Sequence, residues 1–178
     1  MKKIEESSKI KKRCKKEEFI MIHHPKEVND RDGIVRILKD CEVLHLALND
    51  GSFSYVVPMN YGFAEENGHF VIYFHCTKDG RKLELIRKDG NAGFEGSRFH
   101  EIPSKTIHCM MTYESFTGKG TVSVIEDHEE CVKALNALLE HYGKQQIKKY
   151  TDSFFAELHM LRLDVDEITG KELNEDKL

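Results

Sequence analysis

Hydrophobic and polar positions alternate along most of the chain, and the alternation breaks at a few places into helical spacing. Residues 26–40 carry Val28, Ile34, Ile37 and Leu38 as a ragged apolar stripe, which predicts a first helix despite Gly33. Residues 41–49 then alternate strictly, with Val43, His45 and Ala47 on one face and Leu44, Leu46 and Leu48 on the other, and stop at Asn49-Asp50-Gly51, a sequence suited to closing a hairpin. Residues 53–63 read as the partner strand. The Asn67-Gly68 turn leads into a third strand at 69–76, rich in aromatic and β-branched side chains. Three successive antiparallel strands predict a meander.

A short helix is predicted at 79–88, where Leu83 and Ile86 share a face with Leu85 beside them and Asp89-Gly90 ends it. Strand-like residues 91–99 follow, then a loop around Pro103 and a long extended segment at 106–125. Gly118 and Gly120 inside that segment mark a bulge or the sharp bend of a barrel corner. Residues 127–141 read as the clearest helix, with Val132, Leu135, Leu138 and Leu139 as its buried stripe and Gly143 past its end. A helical piece near 152–159 and a last strand at 160–168 complete the pattern. Six or so strands with peripheral helices predict a mainly β fold, a small antiparallel barrel, since closure removes exposed sheet edges.

Composition narrows the class. The 178 residues fit one domain, with residues 26–178 as that domain and residues 1–25 as a basic, poorly ordered arm. Ten Phe, six Tyr and 39% hydrophobic residues argue against disorder, while 33% charged residues leave no stretch apolar enough to span a membrane. The net charge of −4 divides unevenly: residues 1–16 balance at +6, so the remaining 162 sum to −10. An acidic body does not suit nucleic acid as principal partner. No apolar stretch follows the basic run, so a secretory signal is not expected and a cytoplasmic location is. Five cysteines without a CxxC pair suit a reducing compartment, and neither they nor the ten histidines take metal-ligand spacing.

Three segments can carry chemistry. Pro58 cannot donate to a central ladder, so its strand is an edge or is locally broken, leaving backbone groups of Val57, Met59 and Asn60 free to meet a ligand. At His75-Cys76-Thr77-Lys78-Asp79-Gly80-Arg81-Lys82 a strand ends in a turn that opens a helix. Backbone donors there, the Thr77 hydroxyl, Arg81 and Lys82 could hold a phosphate; alternatively Asp79 caps the helix and Lys82 is solvated. His75 and Cys76 point to opposite faces of a strand, so they do not form a catalytic couple, and Cys76 reads as a buried thiol. The third segment, Tyr113–Gly120, echoes a dinucleotide fingerprint but lies within a strand, which excludes that site.

The order of HLALNDGSFSYVVPMNYGF, HFVIYFHCTKDGRKLELIRK, YESFTGKGTV and LRLDVDEITGKE resembles the pyridoxamine 5′-phosphate oxidase-like FMN-binding split barrels, in the branch of the nitroimidazole-resistance (nitroimidazole reductase) proteins. It covers about residues 28–172. The resemblance implies an antiparallel, Greek-key-like split β-barrel that forms a homodimer with FMN at the subunit interface. It implies that the flavin ring edge meets Pro58, Met59 and Asn60, with His75 and Cys76 near the ring. Thr77 and Lys82 would hold the phosphate, with Arg81 beside them, and Tyr113 and Ser115 would approach from the partner subunit.

The activity implied is an FMN-dependent oxidoreductase in which NADH or NADPH supplies electrons for a nitroaromatic, quinone or similar small acceptor. His75 would stand beside the acceptor as the catalytic residue, on the same strand face as Val71 and Tyr73. The chain lacks an evident cluster for gripping a second phosphate, so pyridoxamine phosphate oxidation itself is not expected. A non-catalytic flavin-binding or flavin-sensing protein is the alternative. Haem-binding and deazaflavin-binding split barrels keep the cofactor open.

Overall fold

Eight strands and three helices make up the computed structural model, which describes residues 26–102, 111–146, 150 and 155–174. In chain order they are β1 (Lys26–Val28), α1 (Arg31–Asp40), β2 (Leu44–Asp50), β3 (Phe53–Met59), β4 (Gly62–Glu66), β5 (His69–Thr77), α2 (Arg81–Lys88), β6 (Asn91–Glu101), β7 (Thr112–Val124), α3 (His128–His141) and β8 (Leu158–Leu173). The basic arm at 1–25, the loop at Pro103 and the start of the segment predicted from 106 lie outside the described residues. So do residues 152–154 of the helical piece predicted near 152–159, whose last residues open β8 instead. Among the described residues no helix is long and apolar enough to cross a membrane.

The sheet runs β3-β2-β6-β7-β8-β5-β4 with every neighbouring pair antiparallel, and β1 adds to β8. The predicted meander is therefore corrected. β3 and β4 are consecutive in the chain yet stand at opposite ends of the strand order, joined only by Asn60 and Tyr61. Three virtual bonds from Met59 to Gly62 span roughly 11 Å at most, so the sheet must curl until its two ends nearly meet. No ladder joins those ends among the described residues, and the result is a split barrel.

The break at Asn60 has a local cause. Tyr61 turns fully inward, and its hydroxyl lies 2.7 Å from the Leu38 carbonyl oxygen and 3.0 Å from that of Cys41, sharing its proton between carbonyls at the end of α1. Met59 and Tyr61 are buried on either side of exposed Asn60, so the alternation of β3 runs through the break, and the anchor to α1 is what carries the chain off toward β4. The Asn67-Gly68 turn between β4 and β5 has positive φ at both residues, +50° and +85°, as a two-residue hairpin turn requires. In β7 the register against β8 slips between Lys119 and Gly120, which is the bulge expected from the glycines. A Cβ at Gly120 would strike the Asp164 carbonyl.

Leu44, Leu46, Ile72, Phe74, Phe94, Phe116, Leu161 and Leu163 fill the interior, with Ile34, Ile37 and Leu38 of α1 packed into the same cluster. Asp30 caps α1 by accepting from the Gly33 N–H at 2.9 Å, so the predicted helix 26–40 is shortened and Val28 belongs to a strand. A second cluster lies outside the barrel wall, where α3 covers Val71, Tyr73 and Met160 with Cys131, Ala134 and Leu138. The buried face of α3 is thus turned from the predicted stripe, with small Cys131 and Ala134 in place of Val132 and Leu139.

Candidate functional site

The end of β3, the end of β5 and the start of α2 meet at one place. Lys82 Nζ stands 3.1 Å from Met59 Sδ, tying the first turn of α2 to the last residue of β3. A thioether is a weak acceptor, and among the described residues no carboxylate pairs with Lys82. This ammonium is therefore half-buried with its charge uncompensated. Pro58 and Asn60 flank Met59 at the same strand end, Pro58 opposite His45 on an edge strand as expected.

Helix α2 starts without a side-chain cap. Its N-cap residue is Gly80, with φ +132°, which an L side chain would rarely adopt. The alternative in which Asp79 caps the helix is overturned: Asp79 uses its carbonyl to accept from the Thr77 hydroxyl at 3.2 Å. The first backbone N–H groups of α2 are left pointing out of the helix start, where the partial positive charge of the helix adds to Lys82. Starts α1 and α3 differ, since Asp30 and Asp127 cap them.

Arg81 is committed elsewhere. Its guanidinium is paired with Asp50 of the β2–β3 hairpin and, at 2.9 Å, with Glu84. That leaves Lys82 as the less engaged of the two cations. Thr77 is exposed at the turn, one residue beyond Cys76.

His75 is exposed and Cys76 buried, so the two side chains do point to opposite faces. Val71 and Tyr73 share the His75 face but lie beneath α3, and only His75 emerges beyond it. Desolvation first and the nearby Lys82 charge second lower the His75 imidazole below its ordinary value, which keeps it neutral near pH 7. Burial raises the Cys76 thiol above its ordinary value, with Lys82 and Arg87 opposing, so it stays protonated and unreactive.

Tyr113 and Ser115 are not brought to this place. Tyr113 faces Leu173 and His75 faces Met160, near opposite ends of β8, so roughly 40 Å of strand separates them at about 3.3 Å per residue. The half-buried side chains of Tyr113 and Ser115 lie instead near the exposed apolar residues Phe99, Ile102 and Met111. A cleft of about 610 Å³ between the ends of α2 and β7 and the start of β8 adjoins the end of β5, since its lining residues Leu158, His159 and Met160 pair with Thr77, Cys76 and His75; another of about 620 Å³ lies away from it, beside the β2–β3 hairpin.

Sequence reasoning missed Tyr142. Its hydroxyl accepts from Asn60 Nδ2 at 3.1 Å and from the Tyr61 N–H at 3.2 Å, and donates to the Glu42 carbonyl at 2.6 Å. No local pattern links a residue just past α3 to a strand break 82 positions earlier. Its neighbour His141 places Nε2 3.0 Å from the Cys41 carbonyl and leaves Nδ1 buried without a partner among the described residues; desolvation lowers its pKa.

A family model for pyridoxamine 5′-phosphate oxidase matches residues 30–172. Among solved structures, a candidate 5-nitroimidazole antibiotic resistance protein from Bacteroides thetaiotaomicron is 28% identical, with a TM-score of 0.73 over 84% of this chain and 87% of that one. An FAD and heme binding protein from Mycobacterium smegmatis has a TM-score of 0.66 at 17% identity, over 85% of this chain and 78% of that one. An FAD-binding protein from Mesorhizobium loti has a TM-score of 0.62 at 17% identity, over 86% and 100%. At 17% identity the likeness is one of fold. No curated protein sequence matches the chain. With the family model spanning nearly all of the described barrel, this chain belongs to the pyridoxamine 5′-phosphate oxidase family.

Proposed function

We propose that this protein is a flavin-dependent oxidoreductase that binds FMN where β3, β5 and α2 converge and reduces a small acceptor such as a nitroaromatic or quinone with electrons from NADH or NADPH. The observation that carries the reading is Lys82: a half-buried ammonium against Met59 Sδ, with no anion of its own among the described residues, beside an uncapped helix start. That combination is what a phosphate monoester needs, and Gly80 leaves its approach clear of a side chain. The residues present therefore fit the group. The solved structures of similar fold include FAD-binding proteins, which favours a flavin.

In this reading Lys82, the Thr77 hydroxyl and the backbone N–H groups at the α2 start hold the phosphate, with Arg81 adding charge from its place beside Asp50. Pro58, Met59 and Asn60 form the wall along the ring edge, and His75 and Cys76 flank it. When bound, the flavin supplies hydride and electron transfer. His75, neutral and exposed, orients the acceptor by donating a hydrogen bond from its ring N–H. Tyr113 and Ser115 are too far along β8 to act within one chain, so they act from a second copy in a homodimer, whose contact surface includes Phe99, Ile102 and Met111.

Titration of the purified protein with FMN, followed by anaerobic addition of NADH or NADPH, tests the proposal. Saturable FMN binding followed by bleaching of the flavin is expected. Binding without bleaching by either nicotinamide would make the protein a passive flavin carrier, and uptake of haem instead of FMN would replace the cofactor.

A further inference from the structure

We infer that Tyr142 is a positioning residue that turns the Asn60 amide so that its carbonyl oxygen faces outward, as the acceptor for a ring imide N–H of the bound flavin. The inference rests on the flavin reading above and goes beyond it by assigning one hydrogen bond and the residue that sets it.

The argument is one of donors and acceptors. A tyrosine hydroxyl has one proton and accepts through its oxygen lone pairs. Tyr142 lies 2.6 Å from the Glu42 carbonyl oxygen, which can only accept, so the proton is spent there. The Tyr61 backbone N–H, 3.2 Å away, can only donate. What remains for Asn60 is the role of a second donor, so the group 3.1 Å from Tyr142 is the amide nitrogen and not the oxygen. The other half of the amide, Oδ1, then has no partner among the described residues, on an exposed side chain adjoining Met59 and its Lys82 contact.

The platform behind Tyr142 is stiff. Its ring packs edge-on against His141 at a centroid distance of 4.7 Å, and the His141 ring in turn lies 4.4 Å from that of Tyr61. His141 and Tyr61 both reach the Cys41 carbonyl, so α1, α3 and the β3–β4 crossover are fastened at one point. An amide held this way presents a fixed acceptor. An oxidised isoalloxazine has one imide N–H, at N3, and a fixed outward carbonyl recognises that donor while disfavouring a ring alkylated there.

The test is binding of FMN and of its N3-methyl analogue, which lacks that N–H, to the full-length protein and to Tyr142→Phe, Asn60→Ala and the double variant. The wild-type protein is expected to prefer FMN by about tenfold or more, the size of one well-placed hydrogen bond. Each single variant should lose most of that preference, and the double variant should be no worse than either single one, because both remove the same interaction. Equal wild-type affinity for the two ligands would overturn the assignment of the Asn60 oxygen. Multiplying losses in the double variant would overturn the role of Tyr142. If Tyr142→Phe proves too unstable to titrate, Asn60→Ala, at an exposed residue, still tests the contact that Tyr142 is inferred to set: lost preference upholds the assignment of the Asn60 oxygen, and retained preference overturns it and the role of Tyr142 with it. Failure of the wild type to bind FMN at all would overturn the flavin reading and this inference with it.

Discussion

Strand β5 has two halves that treat charge in opposite ways. At Tyr73, cross-strand Arg162 faces Glu66 at 2.9 Å, Glu130 at 2.7 Å and Asp164 at 2.7 Å, while Lys133 and the Tyr73 hydroxyl also reach Glu66. At His75, two residues on, Lys82 has only the Met59 thioether among the described residues. The first cluster satisfies itself and fastens α3 to the sheet. The second leaves a cation and an uncapped helix start unanswered, which is how a fold looks where a ligand completes it. The pKa directions follow: Lys133, Tyr73 and Arg162 hold the Glu66 carboxyl down at about 2, whereas desolvation, and after it the charge of Lys82, pushes His75 away from its protonated form.

Removing the centre of the closed half should cost most. Arg162→Ala removes the shared partner of Glu66, Glu130 and Asp164 and should lower unfolding stability by about 2 kcal/mol, measured by chemical denaturation, a loss limited by the exposure of Asp164 and by the Lys133 and Tyr73 contacts that Glu66 keeps. Lys82→Ala should do the reverse: a thermal melt little changed without ligand, and FMN affinity weakened roughly thirtyfold, as expected for a charge-assisted contact to phosphate. If both variants destabilised the empty protein equally, the contrast between the halves would fail. His75→Ala should slow acceptor reduction about tenfold at unchanged FMN affinity; loss of FMN alone would recast His75 as a cofactor contact.

The two halves also separate by pH. Glu66 has a depressed carboxyl pKa, so the stability it contributes is present above its ordinary value of 4.5 and is lost as pH falls from there toward about 2. His75 and His141 are lowered imidazoles, so their contribution begins to fall earlier, as pH drops through 6.5. Urea midpoints across pH should therefore show two descending stages, and Arg162→Ala should shrink the lower one. The smallest effect belongs to Arg81→Ala, which should weaken FMN by no more than about threefold because Asp50 and Glu84 already engage that guanidinium.

Much of this was legible in local chemistry. The Asn-Gly and Asp-Gly pairs marked both hairpins, Gly118 and Gly120 marked the bulge in β7, and the α2 motif placed Lys82 at a helix start. The strand order was not legible, because residues 53–63 alternate well enough to pass for one strand: Met59 and Tyr61 are buried on either side of exposed Asn60, and only the pairing of β3 with β2 and of β4 with β5 shows the break. The start of α1 was misplaced because Val28 extends the helical stripe, although Asp30 offered the capping signal. The face of α3 was misjudged because Cys131 and Ala134, small enough to sit against the sheet, carry little weight in a hydrophobic count. Tyr142 reaches Asn60 only through tertiary structure, so no periodicity could reveal it.

The central claim is that the open half of β5 is a flavin phosphate site built around Lys82. The most direct measurement is the FMN dissociation constant of the wild-type protein beside that of Lys82→Ala, read from the flavin spectrum. Saturable wild-type binding, weakened at least tenfold in the variant, is predicted; unchanged affinity, or a wild-type protein that takes up no FMN, would contradict the account.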